Sequence, residues 1–174
     1  ILNLGGVANI TVIGLDGALI AFDTGMASGL IDNWMQTQGN ASYDEGGACA
    51  ARGQVNGAIL AAMLADPWFD LPPPKSIDRE AFSIEAVRGL SLEDGAATLT
   101  AFTAAAVARA IDHLPERPAE IHVAGGGRHN ATLMAMIAER TGARVLGVDH
   151  LGWDGDALEA QGFAYMAVRH LKAL

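Results

Sequence analysis

The chain has 174 residues, 51% of them hydrophobic and 18% charged, with a formal net charge of −9. That length suits one domain, and a mean hydropathy of +0.23 excludes intrinsic disorder, while no apolar run reaches the roughly 18 residues of a membrane span. With 11 Lys and Arg against 20 Asp and Glu, phosphate-neutralising nucleic-acid binding is excluded; the one cysteine, Cys49, leaves no internal disulfide or Cys-based zinc cage and suits a reducing compartment.

Residues 1–4 read as a short apolar strand, and the chain opens on it without an initiator Met or a polar lead-in. The expectation is one domain of something larger, with a trimmed single domain as the alternative. Gly5-Gly6 permits a tight turn or a close backbone approach. Residues 8–13 form the second strand, Asp16-Gly17 is a hairpin signal, and 18–22 are the third strand. The three make an antiparallel meander.

The period then changes. Leu30, Ile31, Trp34 and Met35 share a helical face, with Ser28 as N-cap. A Gly-rich stretch follows from 39 to 47. A second helix covers 53–65 with Val55, Ile59, Leu60, Met63 and Leu64 as its stripe, and Asp66-Pro67 ends it. Pro72-Pro73-Pro74 forces an extended surface crossover over 71–76. Residues 98–114 give the clearest helix, with Leu99, Phe102, Val107 and Ile111 in its stripe. A strand over 120–124 runs into Gly125-Gly126-Gly127. Asn130 can cap a helix carrying Leu133, Met136 and Ile137. Residues 143–148 are a further strand, and 156–171 a last, largely apolar helix. The order βββ-α-α-α-β-α-β-α predicts an α/β domain.

In a meander the first and third strands run the same way. If the later strands join parallel to them through helical crossovers, four strands end on one edge of the sheet. Those ends carry Gly5-Gly6, Asp23-Thr24-Gly25, Gly125-Gly126-Gly127 and residues 149–156. Ligands of open α/β sheets bind outside the carboxyl ends of strands, so this rim is the candidate site. Gly5-Gly6 can offer backbone N–H groups to a phosphate, or form an ordinary turn. Asp23 can hold a metal-bound water or a substrate hydroxyl, or cap the following helix. The glycines at 125–127 precede a helix and can receive a nucleotide there. A dinucleotide-binding loop is a competing reading, with Asn130 in place of the last glycine and Asp149 at a ribose-contact spacing. Asp156 opens the last helix, where acidic groups suit the dipole; Glu159 lies a turn in, among Ala and Leu. There is no Walker A sequence, no G-x-S-x-G and no H-E-x-x-H, and the five histidines lack metal-ligand spacing.

These segments together resemble one family. Asn3-Leu4-Gly5-Gly6-Val7-Ala8-Asn9-Ile10-Thr11 is similar to the N-[IL]-G-G-[IV]-A-N-[IL]-T stretch of the anhydro-N-acetylmuramic acid kinases. Phe22-Asp23-Thr24-Gly25 with Leu30-Ile31-Asp32 resembles their F-D-T-G-x4-L-I-D, and Pro72-Pro73-Pro74-Lys75-Ser76 with Asp78-Arg79-Glu80 resembles P-P-K-S-T-G-R-E. Asp66-Pro67-Trp68-Phe69, the run 125–130 and the run 154–160 resemble D-P-[YF]-F, G-G-G-x-x-N and G-D-x-x-E-A. The resemblance implies an RNase H-like (actin-like ATPase) domain, with a mixed five-stranded sheet, a βββ meander and flanking helices. It implies that 1–174 is one domain, the C-terminal half of a two-domain sugar kinase. Such enzymes convert 1,6-anhydro-N-acetylmuramic acid, ATP and water to N-acetylmuramic acid 6-phosphate in peptidoglycan recycling.

By position, the resemblance gives Gly5, Gly6, Asn9, Asp23, Thr24 and Gly25 to the phosphates, with Asp23 as the Mg²⁺ contact. Gly125, Gly126, Gly127 and Asn130 form the adenosine wall, and Glu159 and Asp156 meet the sugar or the attacking water. The Asp base is expected upstream of Ile1, so the chain alone is expected to be inactive. Expected partners are ATP, Mg²⁺ and the sugar in the cytoplasm, with a homodimer left open and neither nucleic acid nor membrane. Met26-Ala27-Ser28 departs from the family's P-G-N, and 43–47 vary its D-x-D-G. The alternative is a non-catalytic nucleotide- or sugar-binding relative.

Overall fold

The computed structural model describes residues 1–14 and 17–173. Asp16, half of the hairpin signal, lies outside the described residues. The chain folds as β1 (Leu2–Leu4), β2 (Val7–Ile13), β3 (Leu19–Met26), α1 (Ser28–Gln38), α2 (Gly57–Leu64) and α3 (Leu92–Ile111). Then come β4 (Glu120–Ala124), α4 (Ala131–Thr141), β5 (Arg144–Gly147) and α5 (Leu158–Leu171), with short 3-10 turns between elements.

The five strands form one sheet in the order β3-β2-β1-β4-β5. β1 pairs antiparallel with β2 and β2 with β3, whereas β1–β4 and β4–β5 are parallel. The expected mixed sheet is therefore present, and β1, β3, β4 and β5 all end on the same edge. The strand period of two divides the sheet into faces. Leu2, Leu4, Ala8, Ile10 and Phe22 are buried against Val107 and Ile111 of α3 and Leu133 and Ile137 of α4. The alternate residues Asn3 and Asn9 stay only partly buried.

A second cluster joins Met26, Ile31, Trp34, Phe69, Leu99 and Phe102, so α3 runs through both. It starts at Leu92, earlier than the apolar stripe predicted. Ser91 is its N-cap and accepts from the Asp94 N–H at 3.0 Å, a side-chain oxygen satisfying a donor the helix leaves unpaired. Trp34 locks this end by donating from Nε1 to the Leu92 carbonyl at 2.9 Å. Gly95 is required beneath it, because a Cβ there would run into the Trp34 ring.

Other boundaries differ from the sequence reading for local reasons. Ser28 does not cap α1. The amides of Ala27, Ser28 and Gly29 donate to the carbonyls of Gly6, Gly5 and Gly6 instead, at 3.0, 2.9 and 3.3 Å. α2 begins only at Gly57, because Asn56 caps it by accepting from Ile59 N–H at 3.1 Å. The 71–76 crossover covers the outer edge of β3: the Asp23 amide donates to the Lys75 carbonyl, and Ile77 N–H to Asp23 Oδ2, both at 2.9 Å. An edge strand is thereby kept from open pairing. The last helix, read as largely apolar, has no buried residue.

Candidate active site at the carboxyl edge of the sheet

The glycine and aspartate segments meet where the strands end. At β4 the chain turns through Gly125, whose φ of +79° favours glycine. A Cβ there would stand 2.6 Å from the Leu4 carbonyl and 2.7 Å from Asn3 Oδ1. At Gly127 it would meet Leu4 Cβ at 2.5 Å. Both glycines let the turn lie directly on β1. Asn130 closes the turn as the N-cap of α4, accepting from Leu133 N–H at 2.9 Å.

Two clefts open on either side of this turn and share Gly126. The first, about 630 Å³, lies between Ser28 and Asp32 of α1, the 42–46 loop, and Gly127 to Asn130. Its loop wall is pre-formed. The buried Asp44 carboxylate accepts from Cys49 N–H at 2.7 Å and Ala50 N–H at 2.9 Å. Thr132 Oγ1 ties the loop to α4 by donating to the Gly47 carbonyl at 2.7 Å. Of the three residues that depart from P-G-N, Met26 and Ala27 are core residues, and Ser28 alone reaches this cleft. The second cleft, about 500 Å³, is lined by Asn3, Gly125, Trp153, Asp156 and Glu159 among others.

The phosphate candidates form a third zone. Neither cleft is lined by Gly5, Gly6, Asn9, Asp23, Thr24 or Gly25. Strand register sets Asp23 opposite Asn9 and Asn9 opposite Asn3. This makes a polar row across the half-open sheet face that leads into the second cleft at Asn3. Asn3, Asp32 and Tyr43 line these clefts without having been candidate site residues; the period-two alternation that leaves Asn9 on the open face marks Asn3 as well. Asp23, Thr24 and Gly25 lie inside β3 rather than after it. The Thr24 side chain is 1% exposed, with Oγ1 donating to the Ala8 carbonyl at 3.4 Å. Gly25 packs at the foot of Phe69 and Ala106. These two hold the strand end from beneath, and Asp23 Oδ2 is engaged by Ile77 N–H.

Arg128 joins the glycine turn to the segment before α5. Its side chain is only 4% exposed. Nε lies 3.2 Å from Asp149 Oδ2, Nη2 lies 2.9 Å from Asp156 Oδ1, and Nη1 donates to the Gly125 carbonyl at 3.1 Å. Desolvation raises the Asp149 carboxyl, but hydrogen bonds from Arg128 and the Asp149 and Gly155 amides overrule it, so it sits below its ordinary value. Asp149, the ribose contact of the dinucleotide reading, is therefore engaged by the protein, as is one oxygen of Asp156. Glu159 is exposed in the first turn of α5 and borders the second cleft. Arg128 was missed because the pattern G-G-G-x-x-N treats its position as a spacer. Among the described residues no group of three or more His, Cys, Asp and Glu could hold a metal ion, and no helix is long and apolar enough to cross a membrane.

A meander continued by parallel strands, with clefts at their carboxyl ends, is the RNase H-like (actin-like ATPase) fold. The activator of the 2-hydroxyisocaproyl-CoA dehydratase from Clostridium difficile, solved with bound ADPNP, shares this fold. The TM-score is 0.54 at 13% identity, over 84% of this chain and 52% of that one. Sequence carries the assignment further. The family model for anhydro-N-acetylmuramic acid kinase matches residues 1–174, and the chain belongs to that family. It is 62% identical over 173 residues to the anhydro-N-acetylmuramic acid kinase of Rhizorhabdus wittichii, covering 99% of this chain. The relatives from Zymomonas mobilis and Caulobacter vibrioides are 53% and 50% identical, over 98% and 99% of the chain. The chain spans about half the length of these curated relatives, 47% in each case.

Proposed function

We propose that this chain is the C-terminal half of a two-domain kinase that converts 1,6-anhydro-N-acetylmuramic acid, ATP and water to N-acetylmuramic acid 6-phosphate. The observation that carries the reading is the pair of clefts flanking the Gly125–Gly127 turn in a chain of this family. Phosphoryl transfer depends on positioning and charge neutralisation more than on covalent chemistry, and a glycine-rich rim supplies the first. In this reading Gly125, Gly126, Gly127 and Asn130 form the adenosine wall. A cleft of about 630 Å³ falls in the ~300–1,000 Å³ range of small-molecule sites. Gly5, Gly6, Asn9 and Asp23 meet the phosphates, with Thr24 and Gly25 supporting the strand beneath them. Glu159 reaches the sugar or the attacking water in the second cleft, beside Asp156.

The donors suit ATP with Mg²⁺ rather than a protein-only metal cage. Mg²⁺ in such sites takes one or two carboxylates and fills its shell with water and phosphate oxygens, and Asp23 keeps Oδ1 for that purpose. A metabolite of wall recycling fits a cytoplasmic reaction.

The direct test is the full-length gene product with anhydro sugar, ATP and Mg²⁺, followed by mass spectrometry of the product. No 6-phosphate at saturating substrates overturns the reading. Glu159→Gln in the same protein is expected to lower turnover about 100-fold or more, the range of a positioned proton-transfer group, while ATP affinity holds. Equal losses in both would make Glu159 structural.

A further inference from the structure

We propose that Asp32 is a ribose-reading residue: its carboxylate accepts hydroxyl groups of the nucleotide sugar in the first cleft. The proposal rests on the nucleotide reading above and adds to it a residue and a selectivity.

Three observations carry it. The first is position. Ile31 and Trp34 anchor α1 in the core at 2% exposure each, which fixes the rotation of the helix, and Asp32 lines the same cleft as Gly126 and Gly127. The Ser28 end of the same wall is joined by backbone to the Gly5 carbonyl. A ligand seated here therefore runs from Asp32 toward the glycine rim.

The second is charge. Among the described residues the lining includes Asp32, Asp44 and Glu45 but no Lys or Arg. Arg128 beneath the turn is engaged by Asp149 and Asp156, and His129 Nε2 faces Asp156 at 3.8 Å. An acidic cavity of this kind repels phosphate. It suits the neutral, hydroxyl-bearing part of a nucleotide, with the phosphates held outside at the rim.

The third is unused hydrogen-bonding capacity. Asp44 is satisfied by two amides, and Glu45 is exposed to water. Asp32 is partly buried, and burial pushes its carboxyl above the ordinary value. No donor among the described residues reaches it. A partly desolvated carboxylate without a donor is costly, and a hydroxyl pair offers two charge-assisted hydrogen bonds. Tyr43 exposes its ring on the same cleft, a flat apolar surface for a base.

The experiment is equilibrium binding to the full-length protein with ATP, 2′-deoxy-ATP and 3′-deoxy-ATP, for the wild type, Asp32→Ala and Asp32→Asn. In the wild type at least one deoxy analogue is expected to bind about tenfold more weakly than ATP, the loss of one hydrogen bond to a charged group. In Asp32→Ala, ATP weakens to the level of that analogue and the ratio falls to about one. Asp32→Asn, nearly the same in shape, keeps the native thermal transition and a reduced preference. A preference that survives in Asp32→Ala, or a wild type that binds all three nucleotides alike, overturns the proposal and leaves the nucleotide reading intact. A folded wild type that binds no nucleotide overturns both.

Discussion

Helices α3 and α5 are both alanine-containing with apolar stripes, and the fold treats them in opposite ways. α3 is buried from Gly95 to Val107 and again at Ala110 and Ile111. α5 buries nothing, and Phe163, Tyr165, Met166 and Leu171 stand 55–83% exposed. The difference lies in what each meets. α3 is mostly small residues, so neighbours on all sides approach its backbone closely, and Trp34 sits directly on Gly95. α5 is fastened at its start, by the ion pairs of Arg128 with Asp149 and Asp156. One helix is held by apolar packing, the other by charge at one end.

That contrast can be broken or sharpened by substitution. Phe102→Ala removes a fully buried ring of α3 and should cost about 3–5 kcal/mol, read from the denaturant midpoint. A cost under about 1 kcal/mol would mean that α3 is not the central packing element. Ser91→Ala removes its cap and should cost about 1 kcal/mol, with faster amide exchange confined to the first turn.

Arg128→Ala should loosen the entry to α5 and leave α3 untouched, so hydrogen exchange should rise around 149–158 alone. The clamp also predicts a pH effect. The folded Asp149 carboxyl sits below its ordinary value of 3.8. Its contribution is therefore complete above that value and is lost as the pH falls below it, through the lowered folded value. Arg128→Ala should remove this part of the acid sensitivity; an unchanged acid profile would argue against the clamp. Smallest of all, Phe163→Ala should shift stability by no more than about 0.5 kcal/mol. A loss above about 2 kcal/mol would show that α5 is packed in solution.

Much of the fold was legible because it depends on local periodicity. Strand β4 falls where the pattern placed it, and Asn130 caps α4 as its position before the apolar run suggested. The common edge of four strands followed from the meander and the crossover rule. The beginning of α3 was legible in principle through Ser91 and Asp94, three residues apart, but the apolar stripe drew attention to its later turns. Ser28 misled because a capping residue type says nothing about a carbonyl arriving from Gly5. The candidate site was readable as a set of glycines and acids. Its division into two clefts was not, since the 42–46 wall is made by Asp44 reaching to residues 49 and 50 and by Thr132 reaching to Gly47. Arg128, Asn3 and Asp32 acquire meaning only through residues distant in the chain.

The sequence by itself determined the family, the element order and the edge on which the glycines gather. Those properties follow from composition, period and motif, which are local or chain-wide. Tertiary structure alone decided which polar groups remain available to a ligand. Asp23 lends one oxygen to Ile77, Asp149 and Asp156 serve Arg128, Thr24 turns inward, and Asp32 keeps its capacity. Whether a carboxylate is available depends on the donors within about 3 Å of it, the reach of a hydrogen bond. In this chain those donors come from up to 54 positions away, as Ile77 does for Asp23.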